Sequence, residues 1–518
     1  MFPSPTRVWR ETTQDPGQAW EEGQGTFMAG SQWDRMPPKQ IRLAQEQKLM
    51  WFVNRVLLPG SPFYRSMLKE AGVKPRPLRT MDDFRNLPFT CKADIAPTPE
   101  EPERPLRLVL LPPEGEGKMR LLRERWRRLL LGEQGYRRAI RHDYGPVHLH
   151  FTTGRTSLPT PIFYTPSDLD LLRECGMRMA EVAGLSEEER VINAFPFAPH
   201  LSFWMSFFAC EARETAALHT GGGKTLGSGR ILDALERLGG SCLVGTPGYC
   251  YHLLRLAATE GRALSSLKTL VLGGERAPGG MRAKMLELAR RAGAEDLCII
   301  GSYAFTEGRT AWMECRESSR EGRGTGYHLY PDLEYIEVID PESGEPVEEG
   351  EGGEVVFTSL GWRGSALLRY RTGDVVDEGV SLEPCPACGR TVPRLGPTIK
   401  RLSDYKEFHL TKLKGTLVDL NAFYPLLSGH PGVQEWQLVI RKRNDDPYDL
   451  DEIYLYVTPV EGFREKTLKS ELERLIQEEL EVAPTRITFQ GLEKMLERLG
   501  METRAKELRI LDQRPEQN

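Results

Sequence analysis

The stretch "HFTTGRTSLPTPIFYT", residues 150–165, sets small hydroxyl side chains and a glycine ahead of a proline and a β-rich run. Backbone amides and hydroxyls so arranged can cradle phosphate oxygens, and the same composition also makes an ordinary turn. In "GSYAFTEGRTAWMEC", Thr306 and Glu307 follow a strand-like run. A hydroxyl beside a carboxylate there can hold phosphate oxygens and a Mg2+, which takes a few hard oxygen ligands together with substrate phosphates. Thr-Glu is equally a common helix start. Asp374 in "LRYRTGDVV" follows a glycine; a carboxylate so placed can grip a ribose diol through two hydrogen bonds, or simply close a β-turn. "CPACGR" puts Cys385 and Cys388 at metal-knuckle spacing, a modest signal on its own. "HTGGGKTLGSG", residues 219–229, does not complete a Walker A loop, because Leu218 stands where that pattern needs its first glycine. It reads as a flexible connector.

These residues need a scaffold, and the hydrophobic pattern supplies one. "RVINAFPF", "SCLVGTP", "LKTLVLGG" and "LCIIGSY" are short apolar runs separated by helical segments such as "GRILDALERLGG" and "RAKMLELARRAG". That alternation predicts parallel strands with crossover helices. From residue 333 to 400 the pattern changes to "LEYIEVID", "GGEVVFTSL" and "ALLRYRTGDVV", which predict an antiparallel, β-rich part. Before the α/β core come a helical segment at 37–96 and a basic insertion at about 97–145, in which "KMRLLRERWRRLLLGEQGYRRAIRH" reads as one charged helix. Its interleaved Trp126 and Tyr136 suit either a solvated face or contact with RNA, an acidic carrier protein or a phosphopantetheine-bearing ligand. After about residue 404 a smaller α+β pattern repeats. The expected class is therefore α/β: a large N-terminal domain, 1–403, with parallel-sheet and β-rich subdomains, and a small mobile C-terminal domain, 404–518.

Bulk composition is that of an ordinary globular protein. The 518 residues are 39% hydrophobic and 28% charged with net charge −5, which gives no global pointer to nucleic acid. No run approaches the roughly 20 apolar residues of a membrane span, and no signal-peptide core opens the chain, so the expected compartment is the cytosol. Nine scattered cysteines would stay thiols there unless a metal gathers some of them.

Taken in order, "FTTGRTSLPT", "LGGERAP", "YAFTE", "RYRTGD", "CPACGRTVPRL", "KRLSD" and the terminal "TRAKELRILD" resemble the phenylacetate-CoA ligase branch of the adenylate-forming, acyl-CoA synthetase superfamily. The resemblance extends over nearly the whole chain. It implies ATP-dependent activation of an aryl or fatty carboxylic acid to an acyl-adenylate, with Mg2+, and transfer to coenzyme A; a carrier-protein thiol or an amine are the other acceptors such a core serves. Nucleotide-binding positions would be Thr152, Thr153, Gly154, Arg155 and Thr156 in the phosphate loop, Gly274, Glu275 and Tyr303 beside the adenine or acyl group, Asp374 on the ribose and Arg401 before a hinge near Asp404. Thr306 and Glu307 would contact phosphate and Mg2+, and Lys506 would be the mobile lysine of adenylation. His200 falls where the family lines its acyl pocket. The phosphate loop departs from the family form: Arg155 replaces a threonine, Ser157 a glycine and Leu158 the lysine, so that Arg155 is the substitute cation. The resemblance also implies a structural Zn2+ held by Cys315, His328, Cys385 and Cys388. A non-catalytic descendant that binds nucleotide or a partner is the rival reading.

Overall fold

The computed structural model describes residues 30–73, 76–112, 118–152, 159–277, 279–320, 324–402, 411–413, 416–418, 420–445, 451–500 and 508–514. Its centre is built where the sequence has its most continuous apolar runs. After helix α1 (Pro38–Phe52), basic helix α2 (Lys118–Tyr144), hairpin β1 (His148–Phe151) with β2 (Pro161–Tyr164), and helix α3 (Pro166–Val182), the chain enters β3 (Arg190–Asn193). Then follow α4 (Leu201–Ala212), β4 (Ala216–His219), α5 (Ser228–Arg237), β5 (Cys242–Gly245), α6 (Pro247–Glu260), β6 (Thr269–Leu272), α7 (Gly279–Arg291) and β7 (Cys298–Phe305). Strands β3 to β7 are mutually parallel, as the alternation predicts. Every residue of β5 and β6 is buried, because the crossover helices cover both faces of a parallel sheet.

Among the described residues this sheet has nine strands. It runs on antiparallel through β8 (Thr310–Met313) and β9 (Tyr327–His328) and ends at a two-residue pair lying later in the chain. A second sheet, four-stranded and antiparallel, is β10 (Glu334–Ile339), β11 (Glu351–Ser359), β12 (Tyr370–Glu378) and, beyond the short β13 (Val380–Ser381) and β14 (Arg394–Leu395), β15 (Ile399–Arg401). β16 (Thr411–Leu413) and β17 (Thr416–Val418) form a hairpin. The C-terminal sheet has the order β20 (Arg486–Phe489), β19 (Asp451–Pro459), β18 (Val433–Lys442), β21 (Ile510–Asp512) over its own core of Trp436, Leu438, Leu455, Leu472 and Ile476.

Three sequence readings change. Gly132 has φ 68° and ψ 167°, so α2 is two helices meeting at a break rather than one. Asp374 lies within β12 and not in a turn: Gly373, at φ 70°, sits opposite a register shift between Glu354 and Val356, and glycine accommodates the bulge. The connector at 219–229 is packed: Gly221 and Gly222 take positive φ, and a Cβ on Gly222 would lie 3.2 Å from Pro196 Cα.

Charged groups inside the large core are paired with care. Arg178 donates to both oxygens of Asp332, at 2.5 and 3.0 Å, with both side chains 4% exposed or less. Next to them Glu334 accepts from Trp312 Nε1 at 2.7 Å and from the Tyr330 amide at 2.6 Å through one oxygen; the other has no partner. Burial pushes its carboxyl up to about 8. The folded state therefore keeps a proton that the unfolded chain releases above its ordinary range, so this group's stabilisation is complete below about pH 4.5 and is lost as pH rises toward 8. We expect Glu334→Gln to unfold like the parent at pH 5 and to gain on it toward pH 8, by up to about 1.4 kcal/mol per pH unit. Urea unfolding at the two pH values checks this; a parent-to-variant difference that does not change with pH contradicts it.

Candidate active site

In an open parallel sheet, loops at the carboxyl ends of the strands converge, and the crevice opens where the strand order reverses. Here the reversal is at β3, whose neighbours are β4 on one side and β5 on the other. The loop after β3 reaches back to hairpin β1: the Phe151 amide donates to Pro199 O at 2.7 Å, and His200 Nδ1 lies 2.9 Å from Phe151 O. His200 is thus committed through that nitrogen to the backbone at the end of β1. Thr152 follows directly. Its amide donates to Thr160 O, and its hydroxyl accepts from the Thr160 amide at 3.1 Å. Thr153, Gly154, Arg155 and Thr156 lie outside the described residues, as do Asp404 and Lys506.

Gly274 and Glu275 follow the carboxyl end of β6, where Gly274 has φ 81°. The preceding Gly273 is in close contact: a Cβ there would come within 2.5 Å of Ser302 Oγ on β7. Glycine at this point lets the loop after β6 lie against β7.

The tightest convergence joins β7 to β12, which belong to different sheets. Tyr303 OH on β7 donates to Asp374 Oδ2 at 2.8 Å; Tyr370 OH on β12 donates to Glu307 Oε1 at 2.9 Å. Each strand thus sends a tyrosine across to a carboxylate on the other or, for Glu307, on the turn that follows it. All four side chains are exposed by 9% or less. Asp374 Oδ1 is also met by Arg401 Nε at 3.0 Å, and Arg401 Nη1 donates to Thr372 O, since β15 pairs with β12 in the register Asp374 to Arg401. Burial, with Asp374 beside it, holds the Tyr303 phenol well above its ordinary range, so it remains a donor. Thr306 and Glu307 occupy a single 3-10 turn at the end of β7.

Two residues escaped the sequence reading. Tyr370 shares the period-two spacing of Thr372 and Asp374, so strand alternation marks it. Arg309 carries no such signal. It is fully buried just past the Thr306–Glu307 turn, at φ 59°, with its guanidinium 4.5 Å from the Trp362 ring centre and none of its three nitrogens hydrogen-bonded. Burial lowers its affinity for a proton, and the nearby Asp168 raises it.

Cys315, His328, Cys385 and Cys388 come together away from this crevice. One donor atom from each lies within 4.8 Å of the others. Cys315 and Cys385 Sγ are 3.9 Å apart, and Cys388 Sγ is 3.3 Å from His328 Nε2. The edge of a tetrahedron with metal–sulfur bonds of about 2.3 Å is about 3.8 Å, so three thiolates and an imidazole at this spacing fit a zinc ion. Strand pairing sets the site: β14 places Arg394 opposite His328 on β9, and the Cys385 amide donates to Arg390 O to close the knuckle.

Residues 116–362 match the family described as AMP-binding enzyme. The chain is 28% identical over 432 residues to the phenylacetate-coenzyme A ligase of Thermus thermophilus, covering 83% of this chain and 84% of that protein. It is 25% identical over 368 residues to the phenylacetate-coenzyme A ligase of Escherichia coli, covering 70% and 72%. Its fold matches a 2-hydroxyisobutyryl-CoA ligase in the postadenylation state with TM-score 0.69 at 21% identity, over 93% of this chain and 91% of that one. The chain is thus similar to AMP-binding enzymes over residues 116–362 and to phenylacetate-coenzyme A ligases over most of its length.

Proposed function

We propose that this protein is an AMP-forming acid–thiol ligase: a carboxylate attacks the α-phosphate of ATP, pyrophosphate leaves, and the acyl group of the adenylate passes to the thiol of coenzyme A. The observation that carries this is the reciprocal pairing of Tyr303 with Asp374 and of Tyr370 with Glu307. It brings residues from two distant motifs to one crevice at the carboxyl ends of the sheet. We assign Asp374 to the ribose. Tyr303 and Arg401 hold its carboxylate in one orientation at the crevice, and a carboxylate so fixed can accept from the two hydroxyls of a diol. Glu307 and Thr306 are the hard oxygen ligands for Mg2+, which when bound neutralises charge developing on the phosphates. Arg155 supplies the cation of the phosphate loop, while Gly274 and Glu275 border the adenine or acyl group. The domain boundary falls at residues 403–404. None of the nine cysteines is in a disulfide, which suits action in the cytosol.

Lys506 is the residue of the first half-reaction. A cation aimed at negative charge that appears during displacement lowers that barrier without tightening the ground state. Acid-dependent exchange of labelled pyrophosphate into ATP, over a panel of aryl and fatty acids, tests the reading. We expect exchange with at least one acid, and Lys506→Ala to abolish most of it while still making thioester from a preformed acyl-adenylate. Equal loss of both half-reactions would remove Lys506 from this role, and no exchange with any acid would remove the ligase itself.

Tyr370→Phe leaves one oxygen of Glu307 without its donor. The expected loss is about 1 kcal/mol, roughly fivefold in kcat/KM for MgATP. Thioester formation from a preformed acyl-adenylate should be unchanged, and the two rates measured on one preparation decide it.

The four-ligand cluster is assigned to one structural Zn2+ held by Cys315, His328, Cys385 and Cys388. Bound metal contributes directly to folding free energy. Cys385→Ser should therefore lower Tm by more than it changes KM for MgATP. Elemental analysis of protein purified without chelator should give one zinc per chain; a metal-free protein of full stability would refute the assignment.

A further inference from the structure

The basic helix α2 has no part in the site just described, and its first half carries a surface that the fold does not use. Trp126 is 60% exposed, Leu129 75% and Leu130 77%. At about 100° per residue these three fall within an arc of roughly 100°, and the sequence continues the same apolar spacing at Met119 and Leu122. The break at Gly132 separates this arm from residues 133–144. The second half is the anchored one: Asp143 pairs with Arg363 at 2.6 Å, and His142 lies 3.5 Å from Asp170 on α3.

Charge distinguishes this arm from the rest of the molecule. Residues 118–144 contain nine Lys or Arg against three Asp or Glu, a net +6 in a chain whose total is −5. Two of the three acids are engaged: Glu133 with Arg137 at 2.9 Å, and Asp143 with Arg363. The helical spacing sets the exposed Arg125 at one edge of the apolar stripe and the exposed Arg128 behind it.

We infer that residues 118–131 form a peripheral docking element for anionic phospholipid, lying in the plane of a bilayer surface. An interfacial helix of this kind needs low overall hydrophobicity, Trp and Leu on one face and cationic side chains on the other, and this arm has each. Arginine at the stripe edge can lay its methylene stem along the acyl boundary while its head stays at the phosphates. The spread of positive charge around the helix favours a lipid surface over an acidic protein. A plane of mobile anions satisfies every cation wherever it points, whereas a folded partner needs its carboxylates matched to particular positions. No described helix is long and apolar enough to cross a membrane, so the attachment is to the surface only.

Flotation of the full-length protein with vesicles tests this. Binding is expected to vesicles of phosphatidylcholine with phosphatidylglycerol, to be absent with phosphatidylcholine alone, and to weaken as salt is raised. Substituting Trp126→Ala, Leu129→Gln and Leu130→Gln together should abolish it, and Arg123→Gln with Arg125→Gln should weaken it by roughly tenfold. Arg125, Trp126, Leu129 and Leu130 are exposed, and parental Tm and pyrophosphate exchange in both variants serve as the folding control. Equal binding to neutral vesicles, no binding to anionic ones, or unimpaired binding by the triple variant would overturn the proposal. So would a solution dimer, seen by light scattering, that the triple variant dissolves, since the stripe would then belong to a second copy. An acidic protein captured through the stripe while anionic vesicles are ignored would overturn it as well.

Discussion

The two cross-sheet hydrogen bonds between tyrosines and carboxylates set the geometry on which the site depends. Strand β7 is the last of the parallel strands in its sheet and β12 runs through a separate antiparallel one, so no backbone ladder joins them. Tyr303 on Asp374 and Tyr370 on Glu307 take its place. Because each strand, β7 together with the turn that follows it, gives one donor and one acceptor, a slide of either sheet would strain both bonds at once. The two carboxylates thus keep a fixed separation, as the nucleotide site proposed above requires. Hydrogen bonds to charged acceptors in a buried setting are among the stronger ones, and leaving either carboxylate without its donor is costly.

The rest of the large domain supports this junction from both sides. Fully buried β5 and β6 hold the carboxyl ends of the parallel strands level, and the Cys315–His328–Cys385–Cys388 cluster ties β8 and β9 to the loop before β14. Arg178 with Asp332 fastens α3 to the start of the second sheet. The molecule uses charge where it must fix orientation and apolar packing where it needs only cohesion.

Much of this was legible beforehand because the signals are local. Unbroken apolar runs between helices announce parallel strands, and the order of short motifs from Thr152 to Asp374 announces the site. What was not legible depends on backbone conformations that only tertiary contact selects. Gly373 reads as a turn residue until the register of β11 makes it a bulge, and Gly132 is an unremarked helix position until it takes φ 68°. Glycine in "HTGGGKT" suggests freedom, yet its use is close approach to Pro196. Tyr370 was within reach of strand periodicity. Arg309 was not: a guanidinium held against Trp362 with no hydrogen-bond partner contradicts the usual rule for buried charge, and composition cannot announce an exception.

The C-terminal sheet meets the large domain through buried charge. Glu435 on β18 takes Arg255 from α6 at 3.1 Å and Arg509 at 2.9 Å, and Lys284 on α7 donates to Val433 O at 2.6 Å. Ion pairs withdrawn from water gain in attraction about what they lose in hydration. Such a clasp specifies one orientation sharply while adding little depth to its energy well. Parting the surfaces returns a carboxylate and its cations to solvent, so water acts as a competing ligand for the joint. A joint built this way can be both well defined and easily released.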